Sequence, residues 1–190
     1  AIGDTVTDAF IRLLPEHAAL VAGEHPQLCF GYGEKIPFES SYIIPGVGNS
    51  ANAAVAASRL GLKSALLSNV GDDHEGEVIL EHLAQEGVDN QFIYKNKHKL
   101  SNYHYVLWYK DDRTILIRHE SYEYHLPALG EPRWVYFSSV GENTLDFHRE
   151  VADYIRMHPS VKLVFQPGTF QIKAGADTLE YIYKLAELSF

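Results

Sequence analysis

A turn rich in glycine and asparagine leads directly into a predicted helix. It reads Pro45-Gly46-Val47-Gly48-Asn49-Ser50-Ala51-Asn52. Glycine lets a ligand approach the backbone, and the free N–H groups of a first helical turn bind hydroxyls or anions. Asn49 and Asn52 each add donors and acceptors, which suit a polyhydroxylated ligand. The turn is therefore a candidate binding site, and a well-capped helix without any ligand is the alternative interpretation.

Asp8 is a second candidate for ligand binding. We expect residues 3–8 to end the first strand of an α/β sheet, and ligands bind beyond the carboxyl ends of such strands. Asp8 would then accept hydrogen bonds from hydroxyl groups, each worth about 1.5–3 kcal/mol. A turn-capping aspartate is the alternative.

Two other kinds of chemistry are less favoured by the residues. The turn also matches G-x-G-x-x-A superficially, but Pro45 stands where a dinucleotide fingerprint needs a strand. The sequence has ten histidines, yet no pair has a metal-ligand spacing, and we interpret Asp72-Asp73-His74 as a solvated turn. Cys29 is the single cysteine, which excludes an internal disulfide and fits a reducing compartment.

The elements that must position these residues alternate between strands and helices. Strands are predicted at 38–44, 64–70, 134–139 and 161–165, and helices at 50–60, 75–86, 145–158 and 178–188. Pro45-Gly46 is predicted to stop the first of these strands. Residues 103–109 and 114–119 are rich in aromatic and β-branched types, and a turn at 110–113 predicts an antiparallel hairpin. The alternation predicts a parallel sheet covered on both faces, with the hairpin standing apart from it.

Composition narrows the class of partner. The chain has 190 residues and a formal charge of −9, which argues against a nucleic-acid backbone or an anionic membrane as partner. No apolar run approaches the roughly 18–20 residues that span a bilayer, and no leader is visible, so we expect a cytoplasmic protein.

The ordered set of motifs resembles the ribokinase-like (PfkB-type) carbohydrate kinases. The resemblance rests on Gly3-Asp4 with Asp8, on Gly48-Asn49-Ser50-Ala51-Asn52 followed by Arg59-Leu60-Gly61, and on Val70-Gly71-Asp72-Asp73 with Gly76. It implies the N-terminal part of a ribokinase-like three-layer α/β/α sandwich, with a mostly parallel central sheet and an inserted small β-lid. Residues 1–190 would form this part of one domain, with lid segments at about 10–44 and 92–126.

The resemblance also implies a function and its site. The reaction would be transfer of the γ-phosphoryl group of ATP, with Mg²⁺, to a carbohydrate hydroxyl. The implied substrate-binding residues are Asp8, Gly48, Asn49, Asn52, Glu142 and Tyr103. The family's catalytic aspartate and nucleotide-binding loops would follow Phe190, so the resemblance implies no catalytic residue in this chain and no kinase activity of the chain alone. It further implies a homodimer formed through the lids.

Two alternatives remain open at this point. The first is a nucleoside kinase of the same superfold, which an aromatic base-stacking lid would favour. The second is a binding module for a dinucleotide or sugar without catalytic activity.

Overall fold

The fold contains thirteen strands, five α-helices and one 3-10 turn in the described residues. The computed structural model describes residues 1–189. The strands are β1 Val6–Leu13, β2 Ala19–Val21, β3 Gln27–Cys29, β4 Phe38–Val47, β5 Ser64–Ala65, β6 Ser68–Gly71, β7 Val88–Asp89, β8 Ile93–Asn96, β9 Tyr103–Tyr109, β10 Asp112–Arg118, β11 Trp134–Phe137, β12 Lys162–Phe165 and β13 Ala186–Ser189. The helices are α1 Asn49–Arg59, α2 His74–Gln85, α3 Leu145–Met157, α4 Thr169–Ala174 and α5 Glu180–Tyr183, with a 3-10 turn at Pro15–His17.

The central strands are parallel. β11, β12 and β13 form one parallel group, while β5 pairs with β7 and β6 with β8 in the same sense. Ile2 connects these groups, because it forms parallel bridges to Leu67 on one side and Phe137 on the other. The carboxyl ends of these strands therefore meet at one edge, close to Gly3 and Asp4.

A second sheet stands apart from the parallel strands. We call it the outer sheet; its strand order is β10-β9-β1-β4, with β1 parallel to β9 and the other two pairs antiparallel. The predicted hairpin is its β9-β10 half, joined through a shorter connection than predicted, at Lys110 and Asp111. The outer sheet also includes residues 6–13, which the sequence did not identify as a strand.

Two apolar clusters hold the helices against the parallel strands. One is built around Phe137, Phe165 and Val151 and joins β11 and β12 to α3 and α5. The other is built around Ala54 and Ile79 and joins α1 and α2 to β6. The predicted helices at 50–60, 75–86 and 145–158 each lie within one residue of an observed helix.

The prediction that Pro45-Gly46 ends a strand is wrong, because β4 continues to Val47. Val6 pairs with Val47 but Asp8 pairs with Ile44, so β4 has one extra residue here and forms a bulge. β4 lies at the sheet edge, where a proline removes no required ladder bond.

The helix predicted at 178–188 is also wrong over most of its length. α5 ends at Tyr183, and Ala186–Ser189 forms β13, which pairs in parallel with β12. The apolar spacing that suggested one helix divides between Leu179 and Ile182, which are buried, and Leu188, which is exposed. The edge of β12 overrides the local helical periodicity here. Pairing with β13 satisfies N–H and C=O groups of β12 that would stay unpaired if the helix continued.

The predicted strand at 64–70 is interrupted. β5 and β6 flank Leu66 and Leu67, and Leu67 instead bonds the stub at Ala1-Ile2 through its N–H to the Ala1 carbonyl. Among residues 1–189, no helix has the length and apolar character needed to cross a bilayer.

Candidate functional site

The start of α1 lies against the end of the first central strand. Gly48 precedes the helix with a φ of 114°, and a Cβ there would lie 2.9 Å from the Asp4 carbonyl oxygen. Ser50 donates a 2.6 Å hydrogen bond from Oγ to the carbonyl of Ile2. A residue with a side chain is therefore strained at position 48, and the first turn of α1 is fixed beside the strand edge.

Asn49 and Asn52 lie in the first turn of α1 and are exposed. Their spacing of three places them on one side of the helix, whereas Ser50 and Ala51 are buried. No side chain caps this helix. The first N–H groups of α1 therefore lie beside the two side-chain amides of Asn49 and Asn52. The structure thus makes this turn accessible to a ligand.

The prediction that Asp8 ends the first central strand is wrong, because Asp8 lies in the outer sheet. The central strand ends at Ile2, whereas Asp8 lies on β1. Its register partner on β9 is His104, and the two side chains approach to 3.2 Å between Asp8 Oδ1 and His104 Nδ1. The Asp8 side chain is 23% exposed, so a ligand can reach it.

The structure does not bring Tyr103 together with Asp8. Tyr103 pairs with Thr7, and side chains alternate between the two faces of a sheet, so Tyr103 lies on the face opposite Asp8 and His104. Its ring lies 5.2 Å from that of Tyr105, and the Arg118 guanidinium lies 5.6 Å from the centre of the Tyr103 ring. A substrate contact by Tyr103 stays a prediction.

Sequence reasoning missed a buried carboxylate next to this site. Asp4 is 7% exposed, and its Oδ2 lies 2.8 Å from Nε2 of His119. Tyr124 donates a 2.5 Å hydrogen bond to Asp4 Oδ1 and accepts one from the Gly141 N–H at 3.0 Å. Burial and the neighbouring Asp4 charge raise the pKa of Tyr124 well above its usual range, so its phenol remains a donor. No local motif could have indicated this network.

The two histidines bring the two carboxylates into one group. The His104 and His119 rings are stacked with their centres 6.4 Å apart, and Phe170 packs edge-on against His119 at 5.6 Å. Asp4, Asp8, His104 and His119 form what we call the carboxylate–histidine cluster. It lies where the outer sheet meets the carboxyl ends of the parallel strands, which is the usual ligand position in such sheets.

Glu142 lines a neighbouring cavity of about 290 Å³ that Phe170 and the buried His148 also line. Phe170 contacts His119, and a Cβ on Gly141 would lie 3.8 Å from the His119 ring, so this cavity adjoins the carboxylate–histidine cluster. A larger cavity of about 680 Å³ lies around Ala1, Ala65 and Trp134, at the amino ends of the strands. Its lining is mostly apolar, and no residue of the cluster lines it.

Asp73, in the segment Asp72-Asp73-His74 that was interpreted as a solvated turn, has a structural role. Asp73 caps α2 by accepting from the Gly76 N–H at 2.9 Å, and it accepts from Ser101 N and Oγ at 2.9 and 2.6 Å. Burial alone would raise the pKa of Asp73, but these hydrogen bonds outweigh it and lower that pKa. Ser101 lies just before β9, so this turn ties the outer sheet to the parallel strands.

Gly71 is required by close backbone approach. A Cβ on Gly71 would lie 2.5 Å from the backbone of residues 99–101.

Among residues 1–189, no group of three His, Cys, Asp or Glu side chains is arranged to hold a metal ion.

Known proteins resemble this chain in sequence and in fold. The chain is 35% identical over 85 residues to the ribokinase of Bacillus subtilis, which is 45% of this chain and 29% of that protein. The solved ribokinase of Cryptococcus neoformans, in complex with ADP, superposes with a TM-score of 0.68 at 20% identity over 99% of this chain. A nucleoside kinase of Methanocaldococcus jannaschii, an archaeal member of the ribokinase family, superposes at 0.69 and 16% identity over the whole chain.

These likenesses confirm the predicted ribokinase-like α/β fold. The chain spans little more than half the length of the solved proteins, 54% and 58% respectively. The family model for pfkB family carbohydrate kinases matches residues 44–167, from the end of β4 to just after β12. Since that match covers more than half of its residues, the chain belongs to the pfkB family of carbohydrate kinases.

Proposed function

We propose that the complete gene product containing this chain transfers the γ-phosphoryl group of ATP to a hydroxyl of a carbohydrate. The chain supplies the sugar-binding part, and the outer sheet serves as the lid. The observation that carries the proposal is the meeting of Asp8, the open first turn of α1 and the outer sheet at one edge of the parallel strands.

Each of these parts has a task in binding the sugar. Asp8 accepts hydrogen bonds from sugar hydroxyls, and its partly exposed side chain can do so without losing its contact with His104. Asn49 and Asn52 add amide donors and acceptors, and Gly48 lets the sugar approach the backbone. Glu142 contributes from the adjoining cavity. Closing the outer sheet over the sugar excludes water, which limits hydrolysis of ATP.

We assign ATP and Mg²⁺ to the complete protein and assign no residue of this chain to holding either. The described carboxylates do not form a set of three that would fit a metal ion. When bound, the ion and nucleotide supply the transferable phosphoryl group and neutralise its charge. The residues of this chain bind and orient the acceptor hydroxyl, and we expect the 190-residue chain alone to have no kinase activity.

A nucleoside is the competing acceptor, because one solved protein of similar fold is a nucleoside kinase. A nucleoside base needs an aromatic stacking surface near the carboxylate that binds the ribose. The paired rings of Tyr103 and Tyr105 lie on the face of the outer sheet away from Asp8, which favours the sugar.

A second copy of the chain is the proposed partner. Ile43, Tyr105 and Leu116 form a row across the outer sheet on that same face, and all three are exposed. Pairing two outer sheets through this row would bury it in a homodimer.

The experiment is a phosphorylation screen of the complete protein with ATP and Mg²⁺ against neutral sugars, acidic sugars and nucleosides. Preferential phosphorylation of a sugar supports the proposal, whereas phosphorylation of nucleosides only would contradict it. The 190-residue chain is assayed in parallel, and measurable phosphorylation by it would disprove the expected inactivity.

A further inference from the structure

Asp4 and His119 belong to the carboxylate–histidine cluster but make none of the proposed sugar contacts. Asp4 is buried, and His119 lies directly after β10, in a different part of the chain from the α1 turn. A buried carboxylate is costly unless it is paired, so the placement of Asp4 calls for an explanation.

Both oxygens of Asp4 are engaged, and together they determine the hydrogen-bonding state of His119. Oδ1 accepts the Tyr124 hydroxyl, which itself receives the Gly141 N–H. Oδ2 is left to face Nε2 of His119 at 2.8 Å. A carboxylate only accepts, so Nε2 must carry the hydrogen, and Nδ1 of the neutral imidazole is then a lone-pair acceptor.

The acceptor nitrogen of His119 can be reached from outside. The His119 side chain is 20% exposed, between the His104 ring and the Phe170 ring. Within residues 1–189, Nδ1 has no hydrogen-bond partner and is not among the buried unpaired atoms. A ligand held near Asp8 would therefore find a second, oriented acceptor on the neighbouring ring.

We propose that His119 is a specificity-determining contact of the sugar site, with Nδ1 accepting a hydrogen bond from a substrate hydroxyl, and that Asp4 is the positioning residue that orients it. This inference rests on the proposed function and names the substrate class more narrowly. The cluster carries two carboxylates, and the Nδ1 lone pair of His119 is the acceptor that it offers to a ligand. It therefore selects a neutral polyhydroxylated sugar and repels a carboxylated or phosphorylated one.

The first test is His119→Gln in the complete protein. The glutamine amide reaches the position of Nε2 and keeps a donor for Asp4, but it leaves nothing at the position of Nδ1. We expect KM for the best neutral sugar to rise about tenfold, as for one lost hydrogen bond in a buried site, with little change in kcat, in KM for ATP or in Tm. His125→Gln is the matched control, because that histidine is 69% exposed and lies beside the exposed Glu123.

The second test is Asp4→Asn, read by the ¹⁵N shifts of the His119 ring. Tyr124 still needs an acceptor, so the asparagine oxygen faces it and the amide hydrogens face Nε2. Nε2 then becomes the acceptor, and the ring hydrogen moves to Nδ1, which reverses the role of the atom offered to the sugar. We expect the wild type to show an Nε2–H imidazole, Asp4→Asn to show an Nδ1–H imidazole, and sugar addition to shift Nδ1 in the wild type.

The outcomes separate this inference from the function beneath it. If the wild type phosphorylates a neutral sugar and His119→Gln does so with an unchanged KM, the inference is overturned and the kinase function stands. Equal kcat/KM for an acidic sugar and its neutral counterpart would overturn the substrate class. If no sugar is phosphorylated by the wild type, the proposed function and the inference fail together.

Discussion

Nε2 of His119 lies 2.8 Å from Oδ2 of Asp4, although 115 positions separate the two residues along the chain. The contact joins the residue after β10 of the outer sheet to the end of the first central strand. It therefore couples the proposed lid to the edge of the sheet at which the sugar is expected to bind.

Loss of the proposed sugar contacts should affect sugar kinetics alone. In the complete protein, Asp8→Ala and Asn52→Ala should each raise KM for the sugar or lower kcat/KM by at least about tenfold, because each removes hydrogen bonds to hydroxyls. Steady-state kinetics with each substrate varied in turn check this. KM for ATP should change less than about threefold.

Asp153→Ala is the matched control for these variants. Asp153 is an exposed carboxylate on α3 whose ion pair with Arg156 is worth little. Unchanged sugar kinetics in both site variants would refute the assignment of Asp8 and Asn52.

Removal of the Asp73 cap should destabilise the fold. Asp73→Ala loses the cap of α2 and two hydrogen bonds from Ser101, so we expect a loss of about 2–3 kcal/mol in the free energy of unfolding. Asp72→Ala is the neighbouring control, since it loses only an exposed contact with Lys95. Urea titrations of both variants compare them, and equal stabilities would contradict the role given to Asp73.

The contribution of Asp73 to the stability of the fold should depend on pH. Its pKa is lowered in the folded state, so the unfolded state binds more protons as the pH falls. The stabilisation by Asp73 is therefore present above the usual carboxyl pKa of about 4 and is lost as the pH falls through the lower folded value. The gap in stability between wild type and Asp73→Ala should narrow below about pH 4.

A methyl group at position 71 should not fit. Gly71→Ala forces a Cβ to within 2.5 Å of three backbone atoms in the segment that leads to β9, and overpacking of this kind costs about 1–3 kcal/mol. Gly23→Ala is the control, because the nearest atom to its added Cβ is 3.9 Å away. Thermal melts that place both variants within a degree of the wild type would show that the segment can move aside.

Protonation of His148 should oppose folding. Its ring is buried against Phe137, and burial lowers its pKa, so the folded state holds it neutral. The unfolded histidine takes up a proton below about pH 6.5, so acidification favours unfolding and stability falls from about pH 7 to pH 5.

His148→Phe should remove that part of the pH dependence. The difference in unfolding free energy between wild type and variant should change by up to about 1.4 kcal/mol per pH unit below pH 6.5. His125→Phe, at an exposed histidine, is the control. Parallel stability curves for wild type and His148→Phe would contradict a buried neutral His148.

The proposed homodimer should depend on the exposed row of the outer sheet. Leu116→Lys places a charge at one end of that row, on the edge strand β10, and should shift the complete protein toward monomer in sedimentation velocity. Lys97→Glu, a charge change outside the outer sheet, is the control. A wild-type protein that sediments as a monomer would contradict the proposal.

Local pattern was sufficient for the helices that have an amphipathic face. The Ala-rich α1 ending near Gly61, and α2 ending before Gly87, follow from propensity and from glycine at the C-terminal end. Pattern failed where a sheet edge decided the outcome, as at Ala186–Ser189, or where a bulge absorbed Pro45-Gly46. Those outcomes depend on which strand lies alongside, and that information is not local.

The same division holds for the candidate site. The sequence by itself determined the glycine and asparagine turn at 46–52, the likeness of Asp8 to a family position and the α/β alternation, because each is written in neighbouring residues. Only the tertiary structure decided that Asp8 belongs to the outer sheet, that Tyr103 lies on the other face and that Asp4 holds His119. Strand register determines which side chains share a face, and burial determines which carboxylate needs a partner. Both arise from contacts between segments far apart in the chain.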